Sequence, residues 1–375
     1  MLEHIKQAIS DKQACVVWLG GSLTEGGGAS APCFCWQALL SEWMKEKYPS
    51  CSFTCLNRGI GGTNSEFGLY RLHRDVLQNR PDLLFVEFAV NDYGRAPEKI
   101  REDMEGIVEN TLEAKPDTDI ILVLNTTVKM AEENYDRGAV PESVRIHQET
   151  ADRYCLPVIR VGEQFLELVR NQGWKRTDLL PDQVHPNDRG YRVYFEIIRK
   201  AMESFLSEDA DDGRKRIQNP GKTSDMLNES RFPERKRGLR NARLVNALKT
   251  EAEGFRLLVS EGFREERIAL CGREKGYISS NVPGSRLELS FFGSSFGLVW
   301  MIASDSGRIS CSIDGGEKHC LSSWDSYAKS RERINHKMLT EELPEGMHTV
   351  RIEVEETHDA ESSGTFIRIG DWLIG

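Results

Sequence analysis

The sequence predicts a two-domain protein in which an α/β domain with a parallel sheet precedes an antiparallel β-sandwich. Residues 1–207 alternate short apolar runs with longer amphipathic stretches, an order typical of a three-layer α/β/α domain. Residues 230–375 instead alternate apolar with polar residues between glycine-containing turns, which is typical of antiparallel strands. The intervening residues 208–229 are charged, polar and interrupted by Gly and Pro, so we predict a linker there.

Each element of the first domain follows from its hydrophobic pattern. The predicted strands are short apolar runs, at 15–21, 51–59, 82–92, 119–127 and 156–162. The predicted helices have helical periodicity, at 37–48, 65–79, 98–114, 140–155 and 189–206. The third strand, DLLFVEFAVND, is almost continuously apolar, as expected where both faces of a sheet are covered.

The second domain is predicted from alternating segments with turns between them. These segments are 286–303, 307–316 and 347–356, and residues 364–375 are predicted to close the chain as one more strand pair. Together they indicate an antiparallel sandwich.

Composition and charge limit the classes of partner. Hydrophobic residues make up 39% and charged residues 29%, as in an ordinary globular protein. The net charge of -10 argues against a nucleic-acid or anionic-membrane partner, and no apolar run reaches the length of a membrane span. The N-terminus does not resemble a secretory signal, and nine cysteines without C-x-x-C pairs fit reduced thiols. We therefore expect a cytoplasmic protein without a metal site.

Ser22 is a candidate nucleophile because it follows the first predicted strand among glycines, in LGGSLTEG. Ligands bind at the carboxyl edge of a parallel sheet, where such a hydroxyl would project. The glycines allow a sharp turn and a close approach by a substrate carbonyl. A plain turn serine is the alternative interpretation.

Asp182 and His185 are candidates for the acid–base pair because they lie in one loop, DQVHPNDRGY, before the last predicted helix. An Asp three residues before a His can hold its Nδ1, which leaves Nε2 to face a nucleophile. The alternative is a surface loop in which Asn187 or Asp188 caps the helix.

Two further segments supply candidate donors for a developing oxyanion. Asn91 and Asp92 are predicted to end the third strand, and the Asn91 amide could donate a hydrogen bond there. In GIGGTNS, Gly62 could donate its backbone N–H to the same oxygen. A turn Asn-Asp pair and a tight glycine turn are the alternatives.

The four blocks GGSLTEG, NRGIGGTNS, FAVND and DQVHPNDRGY resemble those of the SGNH (GDSL) hydrolase superfamily. The resemblance covers about residues 12–205 and implies a flavodoxin-like fold and ester hydrolysis that needs no metal or organic cofactor. It implies that Ser22 is the nucleophile, His185 the base and Asp182 its orienting carboxylate. It also implies an oxyanion hole formed by Ser22 N–H, Gly62 N–H and the Asn91 amide.

The chain departs from the family pattern at two positions. Gly21 replaces the usual Asp before the nucleophile, and Ala89-Val90-Asn91 lacks the usual glycine before Asn. Neither change removes a catalytic atom, but both indicate a reshaped rim around the site. His73 and His147, on predicted helices, belong to no motif, and we expect surface or packing positions for them.

The second domain resembles the jelly-roll or carbohydrate-binding modules of carbohydrate esterases, in FFGSSFGLVW, SCSIDGG and LPEGMHTVRIEVEE. The two-domain order resembles that of the mannan acetyl esterases of carbohydrate esterase family seventeen. This resemblance implies an acetylated oligosaccharide as substrate, specifically an acetylated manno-oligosaccharide. The sandwich would bind sugar, with Trp324 in SSWDSYAKS as a candidate contact, or would only brace the catalytic domain or a homo-oligomer interface.

Three other functions fit parts of the pattern. An acetyl-xylooligosaccharide esterase is the nearest rival. A lysophospholipase or thioesterase would need an apolar acyl groove, and the sequence contains no long apolar lid segment. A non-catalytic sugar-binding protein would be expected to lack the nucleophile, whereas Ser22, Asp182 and His185 are all present.

Overall fold

The structure is a computed structural model, and it describes residues 2–207, 241–270 and 273–375. The chain divides into two compact units, Met1–Arg235 and Lys236–Gly375. The predicted linker and the first residues of the predicted second domain lie outside the described residues. The predicted domain boundaries therefore stay predictions.

Helices and strands alternate along the N-terminal unit. The helices are α1 (Glu3–Ser10), α2 (Ser22–Glu25), α3 (Trp36–Lys47), α4 (Ser65–Tyr70), α5 (Leu72–Asp75), α6 (Pro97–Ala114), α7 (Val128–Glu133), α8 (Glu142–Tyr154), α9 (Val161–Asn171) and α10 (Asp188–Leu206). The strands are β1 (Gln13–Gly20), β2 (Ser52–Gly59), β3 (Leu83–Glu87), β4 (Asp119–Val123) and β5 (Val158–Ile159).

These described strands form one parallel sheet in the order β2-β1-β3-β4-β5, which is the flavodoxin-like order. At its carboxyl edge Gly20 lies beside Gly59 on one side and Glu87 on the other. The loops that follow β1, β2 and β3 therefore leave the sheet next to one another. The predicted α/β fold class is confirmed.

A continuous apolar core fixes helices such as α1, α3, α9 and α10 to this sheet. The Trp18 ring on β1 stacks on Phe85 of β3 at 5.8 Å between centroids, and Trp36 of α3 meets both rings edge-on. Tyr191 and Tyr194 of α10 are fully buried in the same core. Burying each of these side chains contributes roughly 2–3 kcal/mol. Packing of these aromatic side chains thus holds α3 and α10 against the sheet.

Several predicted boundaries in this unit are wrong. The third strand ends at Glu87, because the backbone N–H of Asp92 donates a hydrogen bond to the Phe88 carbonyl and closes a turn. The predicted helix 65–79 is broken into α4, α5 and a 3-10 turn. The predicted strand 156–162 is only β5, and α9 begins directly after it. Helices α1, α2, α7 and α9 were not predicted.

The C-terminal unit consists of antiparallel strands. They are β6 (Arg243–Asn246), β7 (Glu251–Ala252), β8 (Phe255–Glu261), β9 (Arg264–Leu270), β10 (Arg273–Ser280), β11 (Arg286–Gly293), β12 (Phe296–Ile302), β13 (Arg308–Ile313), β14 (His319–Ser322), β15 (Arg333–Thr340), β16 (Gly346–Val354) and β17 (Ile367–Ile374). The described strands form two six-stranded sheets, one containing β15-β12-β17-β10-β9 with β6, the other β14-β13-β16-β11-β8-β7.

Side chains from both sheets share one apolar core, which includes Phe291, Trp300 and Trp372. This agrees with the predicted antiparallel architecture of the second domain. The predicted strand 286–303 is two strands, since residues 294 and 295 turn between β11 and β12. The predicted pair within 364–375 is the single strand β17. Among the described residues, no helix is both long and apolar enough to cross a bilayer.

Candidate active site

The first turn after β1 presents the Ser22 side chain at the carboxyl edge of the sheet. The strand ends at Gly20 and Ser22 opens the short helix α2, where it is 7% exposed. A Cβ on Gly20 would lie 2.2 Å from Thr24 Oγ1, so only glycine allows this turn. The predicted position of Ser22 beyond a strand end therefore has a steric basis.

The loop before α10 brings His185 and Asp182 to the same edge. His185 Nε2 lies 2.7 Å from Ser22 Oγ, and His185 Nδ1 lies 2.7 Å from Asp182 Oδ2. With Nδ1–H donating to the carboxylate, Nε2 is free to accept the serine proton. The three predicted residues form one hydrogen-bonded row.

The Asp182 carboxylate is ordered by its own loop. Its Oδ1 accepts hydrogen bonds from the backbone N–H groups of Val184 at 2.9 Å and His185 at 2.7 Å. Partial burial raises the pKa of Asp182, but these bonds and the one from the imidazole outweigh it and leave the pKa below its ordinary value. Asp182 is therefore ionised at neutral pH, as an orienter of an imidazolium must be.

Contacts on the inner side of the fold hold the nucleophile turn, the segment 21–27 that carries Ser22. Trp36 Nε1 donates to the Leu23 carbonyl at 3.0 Å, and the Tyr191 hydroxyl donates to the Gly27 carbonyl at 2.7 Å. Thr24 Oγ1 donates to Glu87 Oε2 at 3.0 Å, inside the fold. None of these supporting contacts was predicted, because each joins residues far apart in sequence.

Glu87 is a fully buried carboxyl group at the end of β3. Burial raises its pKa to about 8, although hydrogen bonds, chiefly from Thr24, act in the opposite direction. Glu87 is therefore largely protonated at neutral pH. Glu87 was not predicted as a site residue, and its one signal in the sequence is that of a single acid inside an apolar strand.

The loops after β2 and β3 bring the predicted oxyanion donors near Ser22. A Cβ on Gly61 would lie 3.6 Å from Ser22 Cβ, so the turn that contains Gly62 passes directly beside the nucleophile. Gly62 has a φ of 73°, a left-handed conformation that favours glycine. Gly61 N–H donates to Glu25 Oε2 at 3.0 Å, which fixes this loop to α2.

Gly21 leaves room for the side chain of Asn91. A Cβ at position 21 would lie 2.0 Å from Asn91 Oδ1, so the usual Asp of the resembled family would displace the amide. Asn91 lies in the turn beyond β3, not at the strand end as predicted. The departure at Gly21 and the placement of Asn91 thus have one steric cause.

His147 and Asp92 form a buried pair that was not predicted. Both side chains are inaccessible to solvent, and His147 Nε2 lies 2.8 Å from Asp92 Oδ2. We expected a surface or packing position for His147, and it is buried against a carboxylate. The signal available in the sequence was its place on the apolar face of a predicted helix.

Trp324 lies in the C-terminal unit, where its half-buried indole packs against the sandwich core. Lys329 Nζ is 5.9 Å from the centroid of its ring. The predicted sugar contact of Trp324 stays a prediction. Within the described ranges, no group of three or more His, Cys, Asp or Glu side chains could hold a metal ion.

A serine hydroxyl, an imidazole and a carboxylate in a row at the edge of a parallel sheet define the class of serine hydrolases. Residues 18–193 match the GDSL-like lipase/acylhydrolase family. The match spans most of the N-terminal unit, and the protein is a carboxylic ester hydrolase.

Two solved structures share the fold over the whole chain. Both are of a two-domain esterase (CEX) active on acetylated mannans, one of them co-crystallised with mannopentaose. The mannopentaose structure has 22% sequence identity and a TM-score of 0.77, covering 100% of this chain and 95% of that one. The other has 22% identity and a TM-score of 0.78, covering 100% and 96%. No curated protein sequence matches the chain.

Proposed function

We propose that this protein is a serine esterase that removes O-acetyl groups from hemicellulose oligosaccharides, specifically acetylated manno-oligosaccharides. The observation that carries the proposal is the row Ser22–His185–Asp182, with 2.7 Å at both side-chain hydrogen bonds. Its position beside Asn91 and the Gly62 turn supplies the surroundings that acyl transfer needs.

In the first half-reaction, Ser22 Oγ attacks the ester carbonyl carbon while His185 Nε2 takes the hydroxyl proton. Asp182 holds the imidazole in its productive tautomer and stabilises the imidazolium that forms. The carbonyl oxygen becomes negative and accepts hydrogen bonds from the backbone N–H groups of Ser22 and Gly62 and from the Asn91 amide. Each such donor lowers the barrier by about 3 kcal/mol.

Collapse of this tetrahedral intermediate breaks the bond to the sugar oxygen, which leaves with the proton from His185 and completes the first half-reaction. In the second half-reaction, a water molecule attacks the acyl carbon of the acyl-enzyme as His185 removes its proton. Acetate then departs, and Ser22 Oγ is regenerated with the proton that His185 returns. Apart from the water molecule, every step uses side chains and amides of this chain.

Two considerations support an acetylated sugar as the substrate. The fold of both units is shared with an esterase described as active on acetylated mannans. A carbohydrate-binding-like second unit also suits an oligosaccharide better than a lipid. An acetyl-xylooligosaccharide esterase is the second candidate, and a lysophospholipase or thioesterase is the third.

The decisive experiment compares acetate release from acetylated manno- and xylo-oligosaccharides by the wild type and Ser22→Ala. We expect faster release from the manno-oligosaccharides, and a loss of about 10⁴-fold or more in kcat for Ser22→Ala. A fluorophosphonate probe should label the wild type and not the variant. Equal turnover by Ser22→Ala would refute the mechanism, and an absence of acetate release by the wild type would leave a sugar-binding function.

The acyl specificity needs a separate measurement. With nitrophenyl esters of increasing chain length, an acetyl esterase should be most active on acetate, whereas a lysophospholipase or thioesterase should prefer long chains. A preference for the xylo-oligosaccharides would retain the mechanism and change the substrate.

A further inference from the structure

One buried carboxylate joins the two loops that carry the oxyanion donors. Asp92 follows Asn91 directly, and its Oδ1 accepts bonds from Ser65 N–H at 3.1 Å and Ser65 Oγ at 3.0 Å. Ser65 begins α4, three residues after Gly62. Asp92 therefore sets the distance between the Gly62 turn and the Asn91 turn.

Helix α8 holds the Asn91 turn from behind at two points. His147 Nε2 lies 2.8 Å from Asp92 Oδ2, and Ser143 Oγ donates to the Ala89 carbonyl at 2.7 Å. Ser143 and His147 are four residues apart, so they lie one above the other on one face of the helix. Their two contacts fall on either side of Asn91.

We propose that Ser143 and His147 are positioning residues that clamp the Asn91 turn and keep its amide aimed at the developing oxyanion. This inference rests on the proposed function, in which Asn91 is one of three oxyanion donors. Asp92 passes the constraint on to the Gly62 turn through Ser65. Neither α8 residue touches the substrate in this arrangement.

The cost of burying His147 argues against a packing role alone. Its Nδ1 is buried and has no hydrogen-bond partner in the described part of the chain. A buried polar atom without a partner costs free energy, and an apolar side chain would fill the same space without that cost. The bond to Asp92 is what an imidazole supplies here and an apolar residue could not.

The surrounding charges keep Asp92 ionised as the acceptor. Arg95 donates to Asp92 Oδ1 and to Asp103 Oδ2, both at 2.9 Å. Burial raises the pKa of Asp92, but the hydrogen bond from His147 and the charge of Arg95 outweigh it and leave the pKa below its ordinary value. An ionised carboxylate can accept the His147 bond and both Ser65 bonds at once.

The test compares His147→Leu with His147→Gln in steady-state kinetics. Leu removes the donor, whereas Gln can still donate to Asp92 from its amide. We expect kcat to fall about tenfold or more for Leu, a part of the roughly 10²–10³ that one oxyanion donor supplies. KM should stay within about twofold, because ground-state binding is unchanged, and Gln should recover most of the loss.

Tyr154→Phe is the control for destabilising the same helix. Tyr154 on α8 donates its hydroxyl to the buried Glu109 of α6, and so joins the two helices with a comparable bond. We expect a lower unfolding midpoint with kcat within twofold of the wild type. Loss of kcat in proportion to stability in both variants would reduce His147 to a structural residue and overturn the proposal.

A double-mutant cycle with Asn91→Ala identifies the route of the effect. If His147 acts through Asn91, His147→Leu should lower kcat in the wild-type background and have almost no effect in Asn91→Ala. Equal losses in both backgrounds would overturn the inference while the Ser22→Ala result still stands. Retained turnover by Ser22→Ala would instead remove the proposed function itself.

Discussion

The two halves of the hydrogen-bonded row are built in opposite ways. Ser22 is 7% exposed and lies in a turn held by side chains from α3, α10 and β3. The Asp182 side chain is 58% exposed, and its carboxylate is bonded only a few residues away, within its own loop. The nucleophile therefore depends on the whole fold, whereas the base depends chiefly on local geometry.

This difference separates two kinds of defect. A change in the buried side chains that hold the nucleophile turn should alter the free energy of unfolding and the ionisation of buried groups. A change in the base loop should act on catalysis with little effect on folding.

Changes in the base loop should have large effects on catalysis alone. We expect His185→Ala to lower kcat by about 10⁴-fold or more. The loss of kcat in Asp182→Asn should be smaller than that in His185→Ala by a factor of about ten or more. The reason is that the Asp182 side chain is exposed, so water can reach this end of the His185 imidazolium and stabilise part of its charge. Initial rates with a nitrophenyl acetate, together with urea unfolding curves, measure both effects.

Two outcomes would contradict this prediction. Equal losses of kcat for the two variants would mean that Asp182 is as critical as in a fully buried triad. A drop in unfolding free energy of several kcal/mol for either variant would mean that the loop is not locally determined.

The same contrast decides what the sequence could predict. Asp182 and His185 were identified from their spacing, because the contacts of that loop are local. Ser22 was identified from its place after an apolar run. Glu87 and His147 were missed, because a buried polar side chain is defined by a partner more than fifty residues away.

The misplaced end of β3 has a related cause. Phe88, Ala89 and Val90 continue the apolar run beyond the last residue that pairs in the sheet. Hydrophobicity reports burial, and these residues are mostly buried in a turn. The pattern alone could not separate a buried strand from the buried turn that follows it.

Glu87, which accepts a hydrogen bond from Thr24 of the nucleophile turn, should make the free energy of unfolding depend on pH. Because its pKa in the fold is about 8 and its ordinary value is 4.5, the folded protein binds the extra proton between these values. The stabilisation is fully present below pH 4.5 and is lost as the pH rises through about 8. Between pH 5 and 7 the contribution falls by up to about 1.4 kcal/mol per pH unit.

We expect Glu87→Gln to flatten this slope, measured as unfolding free energy in urea at several pH values. Glu149→Gln is the control, because hydrogen bonds from Arg101 and then Arg145 lower the pKa of Glu149 and keep it ionised throughout this range. The control should shift the curve without changing its slope. A Glu87→Gln curve parallel to the wild type would show that Glu87 does not carry the proton.

Two neighbouring tyrosines of α10 provide the smallest and most closely matched test. Tyr191 and Tyr194 are both fully buried, but only the Tyr191 hydroxyl has hydrogen-bond partners among the described residues, the Gly27 carbonyl at 2.7 Å and the Leu23 carbonyl at 3.4 Å. Tyr191→Phe should lower the unfolding free energy by about 1 kcal/mol, because the partly buried Gly27 carbonyl loses its donor. Tyr194→Phe should be neutral within about 0.5 kcal/mol, since its hydroxyl gains nothing from burial.

The same pair should differ in activity. A Cβ on Gly27 would lie 2.9 Å from His185 Cδ2, so the segment that Tyr191 holds is packed against the base. Releasing it in Tyr191→Phe should lower kcat a few-fold, whereas Tyr194→Phe should retain it. Equal stability and equal kcat in the two variants would mean that the Tyr191 bond does not support the nucleophile turn, and that packing of α10 alone is sufficient.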